Sequence, residues 1–380
     1  MAIEAAHLRK WGLLPVAAFL LIAYGLTVQN GLEALAQRHG WMIGDWLINY
    51  QGGFVRRGLL GEVAYWLARW LGVNPGQIVL GIALACYAVY FWFSFLLLKG
   101  LKKPMPYAFL VFSPFLFLFQ IHDFAGGFRK EIIFLALLTF TVWQAKTVER
   151  SRFKRRFFAI LWLYPALVLS HEASIIWLPL LLVVYVHIFQ ASQPRWRMLM
   201  LAIVPSVLAF GLALWFRGDN QTVADILFSL REAGFLNFSA AIAALNDTPA
   251  QAMGFTASFM QSGAYLYYYP QAVLLALLAF IPLRVRLSAL VSPLTLALFL
   301  LALLGSAVLI IAAADWGRFI YAILASLFLL SLLPKGEGAV MPIAPMRLAL
   351  PGLFVVAYAS LWYLPHSENA NPYIWKGFVP

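Results

Sequence analysis

Residues 157–189 read FFAILWLYPALVLSHEASIIWLPLLLVVYVHIF, an apolar run of 33 residues interrupted once, at Ser170-His171-Glu172. It lies between two basic clusters, Lys146 to Arg156 and Arg195 to Arg197. A helix needs roughly 20 apolar residues to cross a bilayer, so the run is too long for one crossing. Cationic loops gather on one side of a membrane. With both clusters on that side, the run goes out and returns as two short helices, leaving His171 and Glu172 at the outer turn.

The same rule applied outward places apolar spans near 11–29, 78–98, 106–121, 132–145, 157–170, 174–190, 198–216, 266–283, 290–313, 319–333 and 348–364. The expected fold is therefore all-α: a polytopic membrane protein with about eleven transmembrane helices. Composition agrees, because 63% of the 380 residues are hydrophobic and 11% charged, against about a quarter charged in soluble domains. The first apolar segment, Trp11 to Leu26, reads as a retained helix and not as a signal peptide. A single cysteine, Cys86, excludes an internal disulfide and a CxxC metal site. No repeat or linker divides the chain, so residues 1–380 are expected to form one transmembrane domain with outer loops 30–77 and 217–265.

A net charge of +12 raises the question of nucleic acid. With the N-terminus inside, however, the inner segments carry +14 and the outer ones −2. The excess is then a topology signal, and nucleic-acid binding is not needed to explain it.

Mixed charges gather at the outer span ends, at Asp45, Arg56-Arg57, Glu62, His122-Asp123, Arg129-Lys130-Glu131, His171-Glu172 and Asp315-Trp316-Gly317-Arg318. Titratable groups of both signs from separate turns suggest a converging site. In the first loop, Gly52-Gly53 precedes Arg56-Arg57, whose forked donors suit phosphate. The alternative is arginines that snorkel from an interfacial helix. Leu59, Leu60, Val63, Leu67 and Leu71 recur at helical spacing beside Trp66 and Trp70, as an amphipathic helix lying in the interface would require. Asp45 serves equally as a general base or a helix cap.

The turn His122-Asp123-Phe124-Ala125-Gly126-Gly127-Phe128-Arg129-Lys130-Glu131 repeats the theme of glycines followed by cations, as a phosphate clamp or as a capped helix start. His171-Glu172 could orient an acceptor, share a metal with residues elsewhere, or satisfy itself. HExxH is absent because residue 175 is Ile, so no metal site is expected. Asp315 and Arg318 stand one turn apart, as an ion pair or a substrate clamp. Tyr265, Tyr267, Tyr268 and Tyr269 read first as an aromatic belt.

An acidic residue in the first outer loop, an amphipathic helix after it and a second long loop after the seventh span together resemble the layout of GT-C glycosyltransferases. The Gly52-to-Gly61 run and the Asp315-Trp316-Gly317-Arg318 turn are also similar to segments of multispanning proteins of bacterial surface-polysaccharide assembly. The usual acidic doublet is absent, since Trp46 follows Asp45. The resemblance implies a transferase moving a sugar from a polyprenyl-phosphate donor to an acceptor on the periplasmic face of the bacterial inner membrane, with the N-terminus cytoplasmic. Asp45, His171 and Glu172 would be catalytic, and Arg56, Arg57, His122, Asp123, Arg129, Lys130 and Arg318 would bind substrate. The implied partners are a polyprenyl-phosphate or polyprenyl-pyrophosphate glycan, membrane lipid and polysaccharide assembly proteins; the cofactor is left open. An O-antigen or exopolysaccharide polymerase or ligase, in which His122 and His171 gain weight, and a lipid-linked glycan transporter are the alternatives.

Overall fold

A computed structural model describes residues 2–101, 104–189, 196–235, 240–334, 349–367 and 370–374. Among them the longer helices, in chain order, are α1 (Ala2–Ala36), α2 (Gly58–Leu71), α3 (Pro75–Lys99), α4 (Glu131–Thr147), α5 (Arg150–Ser170), α6 (Ser174–Phe189) and α7 (Trp196–Trp215). They continue as α8 (Asn220–Glu232), α9 (Pro249–Ser262), α10 (Tyr265–Leu278), α11 (Pro293–Ala312), α12 (Trp316–Ser331) and α13 (Ala349–Leu361).

Three helix starts share one local cause. Asn74, Thr248 and Ser292 each cap a helix whose first residue is proline, and the third helical residue (Gln77, Gln251 or Thr295) bonds back to the cap. Proline costs nothing there, because the first helical N–H has no partner within the helix.

Helix α4 is the hub, packed against α3, α5, α6 and α12; α6 also packs on α11, and α5 on α2 and α7. One contiguous apolar core joins these helices, with Trp46, Tyr90, Phe117, Phe134, Trp177 and Phe328 among its fully enclosed side chains. Helices α4 and α6 are apolar on nearly every side because neighbours surround them.

The eleven-span layout is corrected here. Among the described residues, four helices are long and apolar enough to cross a membrane: Leu13–Ala36, Pro75–Lys99, Trp196–Trp215 and Pro293–Ala312. A fifth is reached only by counting Tyr265–Leu278 with Ile281–Ser288, a pair bent by 47°. Helices α6 and α12 have 16 residues each, roughly 24 Å at 1.5 Å per residue, short of a hydrocarbon core of about 30 Å. Their apolarity reports burial inside the protein. Helix α5 opens with five cations, Arg150, Arg152, Lys154, Arg155 and Arg156.

The apolar run 106–121 is not a span either. It breaks into Ala108–Val111 and Phe119–His122 around Pro114, with Phe115, Leu116 and Phe117 fully enclosed between them. Gln120 donates to Thr27 Oγ1 at 2.8 Å and to the Phe117 carbonyl at 2.9 Å, anchoring this non-helical stretch. Part of the eleventh expected span, 348–364, begins outside the described residues. The assignment of sides depended on alternating eleven crossings. The multi-pass inner-membrane location with a cytoplasmic N-terminus and a periplasmic site is therefore corrected along with the count.

Helix α2 does form after the first loop, with its small residues turned inward and its large apolar ones outward. Its glycines and alanines (Gly58, Gly61, Ala64 and Ala68) face the protein, whereas Val63, Trp66, Leu67, Trp70 and Leu71 face outward, Trp70 at 80% exposure. Gly61 is required by contact: an added Cβ would collide with the carbonyl of Ile48.

Candidate ionic site

Four turns bring charged side chains together at the ends of α4, α6 and α12. The first carries Asp45 in the short helix Gly44–Leu47, then runs through Gly53 (φ 100°) to Arg57. Arg57 itself is left-handed, at φ 67°, as is Phe128, at φ 58°, immediately before Arg129-Lys130-Glu131. A non-glycine residue in this region is uncommon and costs roughly 1–3 kcal/mol, so surrounding packing must hold it. Phe128 is fully enclosed, its ring 5.5 Å from that of Tyr87, and its carbonyl accepts from the Trp46 indole. That anchorage turns the three charges after Phe128 into the protein.

Two arginines hold four carboxylates. Arg57 reaches Glu172 Oε1 with Nη2 at 2.6 Å and Asp45 Oδ1 with Nη1 at 3.4 Å. Arg318 reaches Glu131 Oε1 with Nη1 at 3.1 Å and also pairs with Asp315. His171 Nε2 stands 3.6 Å from Glu131 Oε1, too long for a hydrogen bond. Burial alone would raise the Asp45 carboxyl, yet Lys130, Arg57, His171 and Arg129 hold it well below the usual carboxylate range. Burial likewise opposes ionisation of Glu172, and Arg57, with help from His171 and Arg56, brings it down to about 2. In Glu131, Arg318 and His171 outweigh burial in the same direction. Carboxylates held this firmly are weak bases at neutral pH.

Two cations are left without a carboxylate within ion-pair distance among the described residues. Lys130 is fully buried, and its Nζ donates to the carbonyl of Arg57 at 3.2 Å. Burial, reinforced by Arg57 and opposed by Asp45 and Glu172, lowers its ammonium to about 8. Arg129 donates to the carbonyls of Ala125 and Trp41 and lies 5.2 Å from the Trp41 ring centroid. Burial and the neighbouring Arg318 lower it to about 10. A guanidinium does not give up its proton in a protein, so the direction measures how poorly this buried charge is compensated.

The site has an open edge. The side chain of Arg57 is 29% exposed and that of Asp315 24%.

Asp45, Arg57, Arg129, Lys130, His171, Glu172 and Arg318 are thus neighbours. Arg56 sits alongside, its Nη2 donating to the Ala244 carbonyl at 3.1 Å and its Nε unpartnered. His122 is apart, exposed beside Tyr363. Asp123 belongs to a separate latch: it accepts from Gly126 N at 2.8 Å and His366 N at 2.7 Å, and faces His366 Nδ1 at 2.7 Å. Two contributors were not among the expected site residues. Glu131 follows the expected cations directly, and its signal was an acid at the first position of a helix. Asp315, expected to form an ion pair or a substrate clamp with Arg318, is paired with it. Of the tyrosines, Tyr265 and Tyr269 are enclosed and pack on Trp316, unlike a belt, whereas Tyr267 is exposed. Among the described residues, no group of three or more His, Cys, Asp or Glu could hold a metal ion.

No family model, curated protein or solved structure matches the chain. The resemblance to GT-C glycosyltransferases rested on the eleven-span layout and is corrected with it, since four or five candidate spans do not make that architecture. Sugar transfer from a polyprenyl-phosphate donor falls with that layout, as do the polymerase, ligase and transporter alternatives.

Proposed function

We propose that the protein binds an oxyanion-bearing ligand at the ionic site, with Lys130 and Arg129 as the receiving groups. The observation that carries this reading is the pair of buried cations whose hydrogen bonds go to carbonyl oxygens and which feel Asp45 only beyond ion-pair distance, while two arginines make the close pairs with all four carboxylates. An uncompensated buried charge costs several kcal/mol. An arriving anion removes that cost and gains charge-assisted hydrogen bonds. With Arg56 included, five cations stand against four carboxylates, leaving room in the charge balance for one added negative charge. The left-handed Arg57 and Phe128 on either side of the cluster support the same reading, because strain of this kind gathers at ligand sites.

The test is equilibrium binding of inorganic sulfate and phosphate to purified full-length protein in detergent. Saturable binding that Lys130→Met and Arg129→Met each weaken about tenfold or more supports the proposal. Binding left intact in both variants, or no binding to the parent protein, overturns it.

A further inference from the structure

The end of the helix bundle away from the ionic site is strongly basic. Helices α4, α6 and α12 begin at that site, at Glu131, Ser174 and Trp316, and run from it side by side. Phe134 meets Trp177 near the start, ring centroids 5.7 Å apart, and at the far end Lys146 Nζ donates to the Leu332 carbonyl at 2.6 Å. Helix α5 runs the other way, so its first turns lie at the far end, where the Phe153 ring stands 6.2 Å from that of Phe189, the last residue of α6. Those turns carry Arg150, Arg152, Lys154, Arg155 and Arg156. Lys99 closes α3 at the same end, where the Phe93 ring lies 4.8 Å from Trp143 of α4, and Arg197 opens α7, which packs along α5.

Arg150, Arg152, Arg155 and Arg156 are exposed. Among the described residues, none of the five cations on α5 has a carboxylate within ion-pair distance. Arg156 donates to Gln144 Oε1 at 3.4 Å, and the neighbouring acid, Glu149, accepts from Ser151. Cations are disfavoured at a helix N-terminus, whose free N–H groups already carry partial positive charge, and cations one turn apart repel one another. An anionic surface outside the protein removes both costs. We infer that this end of the protein lies against anionic lipid headgroups, with the first two turns of α5 as the principal contact.

The outer face of α5 selects lipid over other polyanions. Exposed residues recur along it at 152, 155, 156, 159, 162, 163 and 166, and they change in kind: arginines come first, then Trp162 at 56% and Leu163 at 72% exposure. Trp162 follows Arg155 by seven positions, roughly 10 Å along a helix. Cations at phosphate depth, tryptophan below them and aliphatic side chains deeper still is the order of a bilayer interface. A nucleic acid would meet the cations and leave Trp162 and Leu163 uncovered. Helices α3 and α7, two of the candidate crossing helices, reach the same end with Lys99 and Arg197, and α7 continues from there with exposed Met200 and Leu201. This surface lies at the opposite end of α4 from Lys130 and Arg129, so the contact does not depend on the oxyanion reading.

Thermal melting of full-length protein in nonionic detergent, titrated with dioleoylphosphatidylglycerol or dioleoylphosphatidylcholine, tests it. A saturable rise in melting temperature with the anionic lipid, and none with the zwitterionic one, is expected. Each cation near an anionic surface is worth roughly fivefold in affinity, so the combined variant Arg152→Gln, Arg155→Gln, Arg156→Gln should raise the half-maximal lipid concentration by about tenfold or more. Glutamine is a good helix former and the three side chains are exposed, so the variant without lipid should melt no lower than the parent. If three changes together prevent folding, Arg155→Gln alone carries the test, with a shift of roughly fivefold. An equal response to both lipids, no response to the anionic one, or an unchanged half-maximal concentration in the variant overturns the inference. A response lost in Lys130→Met but kept in the combined variant also overturns it, because the lipid phosphate would then sit in the ionic site. If random-sequence duplex DNA raises the melting temperature and the anionic lipid does not, the surface belongs to nucleic acid.

Discussion

Arg57 and Glu172 are 115 positions apart in the chain and meet at 2.6 Å, the guanidinium donating to both carboxylate oxygens. This contact ties the first loop to the α5–α6 turn. A paired charge whose partner is removed is left stranded, at about 3–5 kcal/mol in a fully buried setting. Arg57 is partly open to solvent, so Glu172→Gln is expected to cost less, about 2–3 kcal/mol. Denaturant titration of the purified protein measures it. A double-mutant cycle with Arg57→Met separates the pair's coupling from the loss of either side chain.

Acid should weaken the fold through the same carboxylate. The Glu172 carboxyl lies near 2 in the folded protein against an ordinary value of 4.5. A carboxyl lowered on folding contributes stability that is complete above its unfolded value and is lost as pH falls through its folded value. Melting temperature should therefore decline between pH 4.5 and 2, and the slope should be shallower in Glu172→Gln.

Lys130 has the opposite sign. Its ammonium is lowered to about 8 from 10.5, so the folded state binds fewer protons than the unfolded one between those values. Stability rises with pH wherever the unfolded state holds more protons. The burden of the charged amine is complete below pH 8 and lifts as pH approaches 10.5. Lys130→Met, tested at pH 7 without added anion, should raise stability by about 1–3 kcal/mol. A loss of stability would mean that this lysine holds the fold together.

Gly61→Ala should be destabilising by about 1–3 kcal/mol, because the new methyl meets the Ile48 backbone carbonyl, which cannot swing aside as a side chain would. Gly81→Ala, where nothing lies within 4 Å of the added carbon, is the matched control and should be neutral or slightly stabilising. Thermal melting of the two variants side by side checks the contrast.

The helical class and several boundaries were legible in local chemistry. The break at Ser170-His171-Glu172 appears between α5 and α6 where it was expected, whereas the Asn74-Pro75, Thr248-Pro249 and Ser292-Pro293 starts, though each is written in three or four residues, were not among the expected boundaries. The number of membrane crossings was not legible, because an apolar run looks the same whether lipid or protein covers it. Helix α6 and the coil around Phe115 show the consequence: both are enclosed by neighbours. Charged groups at separate turns were recognisable as a set. Apart from Asp315 with Arg318, their pairing was not, since only the folded chain shows that Arg57 and Arg318 take the other carboxylates and leave Lys130 and Arg129 without one within ion-pair distance.

The central claim concerns Lys130, and proton-linked binding tests it most directly. Calorimetric titration with sulfate at pH 8, in two buffers of different ionisation enthalpy, reports protons taken up per anion bound. Sulfate does not titrate there, and Lys130, near 8, is about half protonated. An anion received by this amine completes its protonation, so uptake of about half a proton per sulfate is predicted, abolished in Lys130→Met. Binding without proton uptake, or no heat of binding in either buffer, would contradict the account.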